Sequence, residues 1–265
     1  MMGHHEKNAS CSRIGEPSLI ILNGPSGVGK STLLRRLLSE YHDQFGFSVS
    51  HTTRGPRNYE VHGEHYYFVS DEKFNEIVEA GDMIEHANVH GCSYGTSSAA
   101  VHKVLDTGRS CILDLDNQGA CSIKEWLARH PNPPRAHFIV ILPPSLEDLE
   151  FRLRSRGSET EATFITRIEN AREELDWYAA HPGFYDSYIV NSNVASAYRA
   201  FCEATEVMVC SAEGSDASMD HEEAAAFLEV ATEKSRSFQR GDWFPTPQVP
   251  RKIVSSRPAS PGRQK

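Results

Sequence analysis

Residues 24–31 read Gly24-Pro25-Ser26-Gly27-Val28-Gly29-Lys30-Ser31, a complete GxxxxGK[ST] string between the apolar run Leu19 to Leu22 and Thr32-Leu33-Leu34. A strand that feeds a glycine turn at a helix N-terminus aims several free backbone N–H groups at one anion. Gly27, Val28 and Gly29 supply the turn, Lys30 reaches the terminal phosphates of a nucleoside triphosphate, and the helix opens at Ser31 and Thr32. The Ser31 hydroxyl is suited to magnesium. Such a loop also needs a carboxylate at the end of a buried strand to hold the ion or its water shell. Asp114 and Asp116, in Ile112-Leu113-Asp114-Leu115-Asp116, are the candidates. Asp116 also reads as the cap of a helix starting at Asn117.

Two further clusters suit anions. Arg54 and Arg57 flank a turn-prone Gly55-Pro56, and guanidinium forks match phosphate oxygens in paired hydrogen bonds. Tyr66 and Tyr94 add hydroxyls; the plainer reading of each arginine is a solvated surface charge. Arg152, Arg154, Arg156 and Arg167 surround Gly157-Ser158-Glu159-Thr160-Glu161. Crowded like charges call for a neutralising anion, which points to a lid over phosphates. The other reading is a salt-bridged helix pair using Glu147, Asp148, Glu150, Glu169 and Glu173.

The elements that position these groups follow from periodicity. Leu33, Leu34, Leu37, Leu38 and Tyr41 fall at helical spacing, so residues 31–41 are predicted to be a helix. Residues 111–115 and 137–142 are short apolar runs of the kind buried on both faces of a parallel sheet. A helix over Asn117 to Arg129, a Ser145-capped helix from Leu146 towards Arg156, a strand at Tyr188 to Val190 and a closing helix from Ala195 to Cys210 complete the alternation. Residues 45–98 break it, with strand-like pieces at 45–50 and 66–69 and a helix from Ser70 to Gly81, and read as an inserted lobe where a second substrate docks.

The chain of 265 residues carries a formal charge of −9 and 39% hydrophobic residues, which argues against a nucleic acid as the anionic partner. No apolar stretch is long enough to cross a bilayer, residues 1–16 read as a flexible leader without a signal core, and a cytoplasmic location is expected. Six cysteines without a CxxC pair read as reduced thiols, and thirteen scattered histidines give no zinc spacing. From Ser211 an acidic stretch with a helix around 224–231 passes into a basic, Pro- and Ser-rich end. Residues 211–265 are therefore predicted to be a low-complexity, largely disordered tail. Within it, Pro247-Gln248-Val249-Pro250-Arg251-Lys252 suggests a weak peptide-motif partner, and Thr246-Pro247 and Ser260-Pro261 suggest phosphorylation.

An ordered set of segments resembles guanylate kinases. It comprises Gly24 to Ser31; Phe45 to Ser50 followed by Thr52-Thr53-Arg54, Pro56-Arg57, Glu60, Gly63, Tyr66 and Phe68-Val69; Ile84-Glu85; Tyr94-Gly95-Thr96; Leu113 to Asp116 with Gln118-Gly119; and Arg152-Leu153, Arg156 and Glu159 to Glu161. The likeness runs from about Ser18 to Cys210. It implies the α/β fold of P-loop nucleoside monophosphate kinases: a three-layer parallel-sheet core (17–44 and 99–210), a GMP-binding lobe (45–98) and a lid (152–168). It also implies transfer of the ATP γ-phosphoryl group to GMP or dGMP, with Mg²⁺.

In that reading Lys30, the loop amides and Arg152 hold ATP, Ser31 and Asp114 hold the metal, and Arg54, Arg57, Tyr66 and Tyr94 grip the GMP phosphate. Arg57, Arg156 and Arg167 stabilise the transferred group; Ser50, Glu85, Thr96 and Asp116 read the base. Guanine presents N1–H and N2–H side by side, which one carboxylate accepts together and adenine does not offer. Two features depart from the family pattern: Tyr59 where glycine is usual, and a Pro-rich loop at 130–135. A noncatalytic phosphopeptide-binding module of the same family, and a kinase for another phosphorylated metabolite, are the alternatives.

Overall fold

The computed structural model describes residues 16–89, 91–155, 160–205 and 217–238. Residues 1–15 of the leader, Arg156 to Glu159, the Pro247 to Lys252 motif, both Ser/Thr-Pro sites, Cys11 and Cys210 lie outside the described residues. In chain order the elements are β1 (Leu19–Asn23), α1 (Lys30–Glu40), β2 (Phe45–Phe47), β3 (His51–Thr52), β4 (Tyr67–Phe68), α2 (Asp71–Glu79), β5 (Met83–Val89), β6 (Cys92–Ser97) and α3 (Ser98–Leu105). They continue with β7 (Ser110–Asp114), α4 (Asn117–Arg129), β8 (Ala136–Leu142), α5 (Leu146–Ser155), α6 (Glu161–Ala180), β9 (Ser187–Val190), α7 (Val194–Ala204), β10 (Ser218–Met219) and α8 (His221–Phe238).

The apolar runs form the centre of a six-stranded sheet ordered β10-β9-β8-β1-β7-β2, parallel except for β10. β1 is buried along its whole length, and the core continues into Leu33 and Leu37 of α1, Ile123 of α4, Leu149 and Leu153 of α5, and Phe164, Ile168 and Leu175 of α6. Parallel pairing of Leu22 with Asp114 puts the end of β7 beside the loop that leaves β1. Ligands of open α/β sheets bind at this carboxyl edge. The 130–135 loop lies at the opposite edge, where the Arg135 carbonyl accepts from Leu19 N–H. Among the described residues no helix is long and apolar enough to cross a membrane, and Cys92, Cys111, Cys121 and Cys202 are free thiols.

Three expected boundaries are corrected. Phe45–Phe47 belongs to the core sheet, with Phe45 paired to Ser110 and buried, so the lobe begins at His51 rather than residue 45. The lobe itself is a four-stranded sheet ordered β4-β3-β6-β5 with α2 beside it. Second, the helix expected to reach Cys210 stops at Ala204, where Thr205 Oγ1 donates to the Phe201 and Cys202 carbonyls.

The third correction concerns 217–238, placed within a largely disordered tail. Ser218 and Met219 pair antiparallel with β9, and Ala217, Ala224 and Leu228 are buried in the main core, with α8 against α6. The helix expected around 224–231 is present within α8, and what the acidic composition hid is that its apolar positions dock on the core.

Candidate active site

The donor half is built by backbone. Gly27 and Gly29 take φ of 95° and 108°, angles that favour glycine. A Cβ at Gly29 would stand 2.5 Å from Asn191 Nδ2, so this position needs glycine for space as well. Asn23, at the end of β1, is 1% exposed and anchors the loop: its Oδ1 accepts from Gly24 N–H (2.5 Å) and the Tyr178 hydroxyl (2.9 Å). Its Nδ2 donates to Asn117 Oδ1 and the Tyr185 hydroxyl. From the other side Asn191 Nδ2 donates to the Val28 carbonyl (2.8 Å). None of these four supports, Asn23, Tyr178, Tyr185 and Asn191, carries a sequence signal of its own, because their partners lie on other elements.

Lys30 Nζ donates to the Gly24 carbonyl and stands 3.9 Å from Asp114 Oδ1. The walls of the cleft push the Asp114 carboxyl upward from the ordinary carboxylate range, while Lys30 pulls it back down. Its side chain keeps 34% exposure. Ser31 and Thr32 are exposed at the start of α1. Their hydroxyls and the Asp114 carboxylate are the hard oxygen donors that Mg²⁺ takes, so the residues present fit that ion.

The arginine cluster fans out instead of converging. Arg152 donates to the carbonyls of Val28 and Asn191 (3.3 and 2.7 Å), tying α5 to the loop. Arg154 pairs with Glu161 at 3.4 Å and lies over the Phe164 ring, a salt bridge to a carboxylate other than those the salt-bridged reading named. Arg167 reaches the loop, donating to Ser26 Oγ at 2.5 Å. Ser26, Arg167 and Glu174 border a cavity of about 400 Å³ between the loop and α6. Glu174 escaped the sequence reading; burial raises its carboxyl to about 7 against the opposing pull of Lys30, and its Oε2 is buried without a hydrogen bond.

The acceptor half is built by side chains. Arg54 spends its fork on Glu60, both contacts at 2.9 Å, and its Nε on the Tyr94 hydroxyl (3.3 Å). That pairing, with an Arg57 backbone N–H donor, lowers Glu60 to about 2. Arg57 is exposed and donates to the Tyr59 hydroxyl at 3.4 Å, so Tyr59, where the family pattern has glycine, contacts the arginine expected to grip the acceptor phosphate. The Tyr66 and Tyr94 rings meet edge to face with centroids 5.9 Å apart, and Arg54 lies over Tyr66. Pairing of β5 with β6 sets Glu85 opposite Thr96, and Thr96 Oγ1 is 3.5 Å from Ser50 Oγ. Burial raises the Glu85 carboxyl, opposed by hydrogen bonds from Thr96 and reinforced by the charge of Asp116. Asp116 caps α4, accepting from Gly119 N–H at 2.8 Å, as its alternative reading required. The expected site residues of the described regions thus form two sets, Lys30 with Asp114 and Arg152 about the loop, and Arg54 with Tyr94 and Ser50 with Thr96 in the lobe.

The family model for guanylate kinase matches residues 16–207. The chain belongs to the guanylate kinase family. It is similar to the guanylate kinase of Sus scrofa, 45% identical over 191 residues that cover 72% of this chain and 93% of the pig protein. It is 48% identical over 179 residues to guanylate kinase 1 of Oryza sativa, where the match covers 68% of this chain and spans 45% of the rice protein. The crystal structure of guanylate kinase from Anaplasma phagocytophilum superposes with a TM-score of 0.50 at 30% identity, covering 75% of this chain and 90% of that one. Ser218 to Phe238, the last strand and helix, therefore lie beyond the guanylate kinase match.

Proposed function

We infer that this chain is a guanylate kinase that transfers the γ-phosphoryl group of ATP to a phosphate oxygen of GMP or dGMP, giving ADP and GDP or dGDP. The observation that carries the reading is a pair of anion-suited clusters, the loop with Lys30 and Asp114, and Arg54, Tyr94 and the Ser50, Glu85, Thr96 set, linked through Asp116, which caps the helix after β7 and whose charge acts on Glu85. Phosphoryl transfer asks a protein for positioning and charge neutralisation more than for covalent chemistry. Transfer is in line: the bond from the γ-phosphorus to the bridging oxygen breaks as the bond to the GMP oxygen forms, and ADP leaves with the electron pair.

In this scheme the loop amides and Lys30 hold the donor phosphates, and Arg57 and Arg167, with Arg156, face the charge spread over the transferred group. Arg54 exchanges part of its contact with Glu60 for the acceptor phosphate. Glu85 accepts from the two guanine donors while Ser50 and Thr96 hydroxyls serve O6, and Asp116 lends its unbonded oxygen to the same edge. Ser31 and Asp114 would hold Mg²⁺, which supplies further neutralisation of the phosphates. Lobe and lid closing over both substrates exclude water, the competing acceptor.

The noncatalytic alternative draws no support from a site whose loop, lysine and acidic partner are all in place. The test is a coupled assay with Mg·ATP and a panel of monophosphates. ADP forms with GMP and dGMP and stays at background with AMP, CMP and UMP; turnover with AMP and none with GMP overturns the assignment.

A further inference from the structure

A second cavity, of about 360 Å³, opens on the outer side of the phosphate loop and is bordered by Gly29, Thr32, Phe151, Arg152, Asn191 and Val194, among others. Its walls are chemically uneven. Among its polar groups Arg152 donates to the Val28 and Asn191 carbonyls and the Asn191 amide nitrogen donates to Val28, while the Asn191 side-chain oxygen is buried without a partner. Two apolar side chains, by contrast, stand open. Phe151 is 72% exposed, the most of any large hydrophobic residue given for the described chain, and Val194 is 46% exposed.

Phe151 is not a core residue that missed its place. Leu146, Leu149 and Leu153 already form the buried stripe of α5, and residue 151 falls off that stripe by helical geometry. Lone exposed apolar residues are ordinary on a surface. A ring at the rim of a cavity that begins at Gly29, the N-cap of α1, is a different case. A triphosphate held on that N-terminus leaves its nucleoside to occupy adjoining space, and a base offers a flat apolar face that stacks on an aromatic ring.

We propose that Phe151 is a specificity-determining residue for the phosphoryl donor: its ring stacks on the donor's base, with Val194 as the second apolar wall, so that donor affinity grows with base area and purine triphosphates are preferred over pyrimidine ones. The proposal rests on the phosphotransferase reading and deepens it. Stacking adds affinity in donor and transition state alike, so its signature is in KM and not in kcat.

The experiment compares the full chain with Phe151→Ala and Phe151→Trp, varying ATP, GTP, CTP and UTP at saturating GMP. Phe151→Ala is expected to raise KM for ATP and GTP about tenfold, to change CTP and UTP about threefold or less, and to hold kcat and the GMP KM within about twofold; Phe151→Trp restores purine affinity. An ATP KM within twofold of the parent in Phe151→Ala, or an equal rise for all four donors, overturns the proposal. Calorimetric titration of Mg·ATP into the same three proteins reads the contact without transfer, with the same tenfold and twofold criteria. Failure of the parent to phosphorylate GMP with any donor marks the failure of the broader reading, and the titration still decides the role of Phe151.

Discussion

The two halves of the cleft are held by different means. On the donor side the loop runs from buried β1 into α1, and Asn23 and Asn191 hold its backbone through hydrogen bonds out of solvent, Asn23 being held in turn by the Tyr178 and Tyr185 hydroxyls. On the acceptor side only Thr52, Phe74, Ile84, Thr96 and Ser97 bury their side chains among the described residues of 51–97, and the working groups hold one another, Arg54 with Glu60 and Ser50 with Thr96. A region with few buried apolar contacts changes conformation at low cost. In the proposed reaction the first half would serve as a fixed seat for one anion and the second as the jaw that closes on the other. This arrangement brings two mutually repelling phosphates together only when both are bound.

The sharpest way to break the comparison is Lys30→Ala. It should lower turnover about 10³-fold while GMP affinity, read by titration, stays within about twofold, because the lysine belongs to the donor seat. A parallel loss of GMP binding would merge the two halves. Glu85→Ala addresses the jaw: kcat/KM for GMP should fall about 10²-fold, with little change in the KM for ATP, since two charge-assisted hydrogen bonds are lost. An unaltered GMP-to-AMP preference in the acceptor panel would remove Glu85 from base reading.

Asn23→Ala tests whether the seat is set by buried polar contacts. It should cost about 2 kcal/mol of stability, seen as a fall in Tm, because Gly24 N–H and two tyrosine hydroxyls lose their shared partner. The smallest effect concerns Glu174. Its folded value of about 7 lies above the ordinary 4.5, so the native state holds a proton that the unfolded chain releases. Stability from this group is intact below pH 4.5 and declines as pH rises to 7. Glu174→Gln should therefore leave stability unchanged near pH 4.5 and raise it above pH 7, by on the order of 1 kcal/mol, seen as a higher Tm there. A constant difference across that window would show that the carboxyl titrates normally.

Much of this was legible in local pattern. The loop string with its flanking runs, the helix over Asn117 to Arg129 and, one residue longer than the 137–142 expected, the strand Ala136–Leu142 emerge from local pattern, because each depends on neighbours in sequence. Phe45 was misassigned because three residues of strand look the same in a core sheet and in a lobe; the partner, Ser110, decides. Arg152 illustrates the limit for single residues. Its type suits phosphate, and the contacts that orient it, to the Val28 and Asn191 carbonyls, come from residues 124 and 39 positions away.

The sequence by itself determined the donor chemistry, since the angles that Gly27 and Gly29 adopt and the reach of Lys30 are local properties of eight consecutive residues. It also determined which residues could read guanine. Only tertiary structure decided what holds that loop in place, that Glu174 sits desolvated above it, and that 217–238 completes the sheet instead of trailing as a tail. The physical reason is the same in each case: burial and hydrogen bonding are made between elements far apart in the chain, and no local pattern carries them.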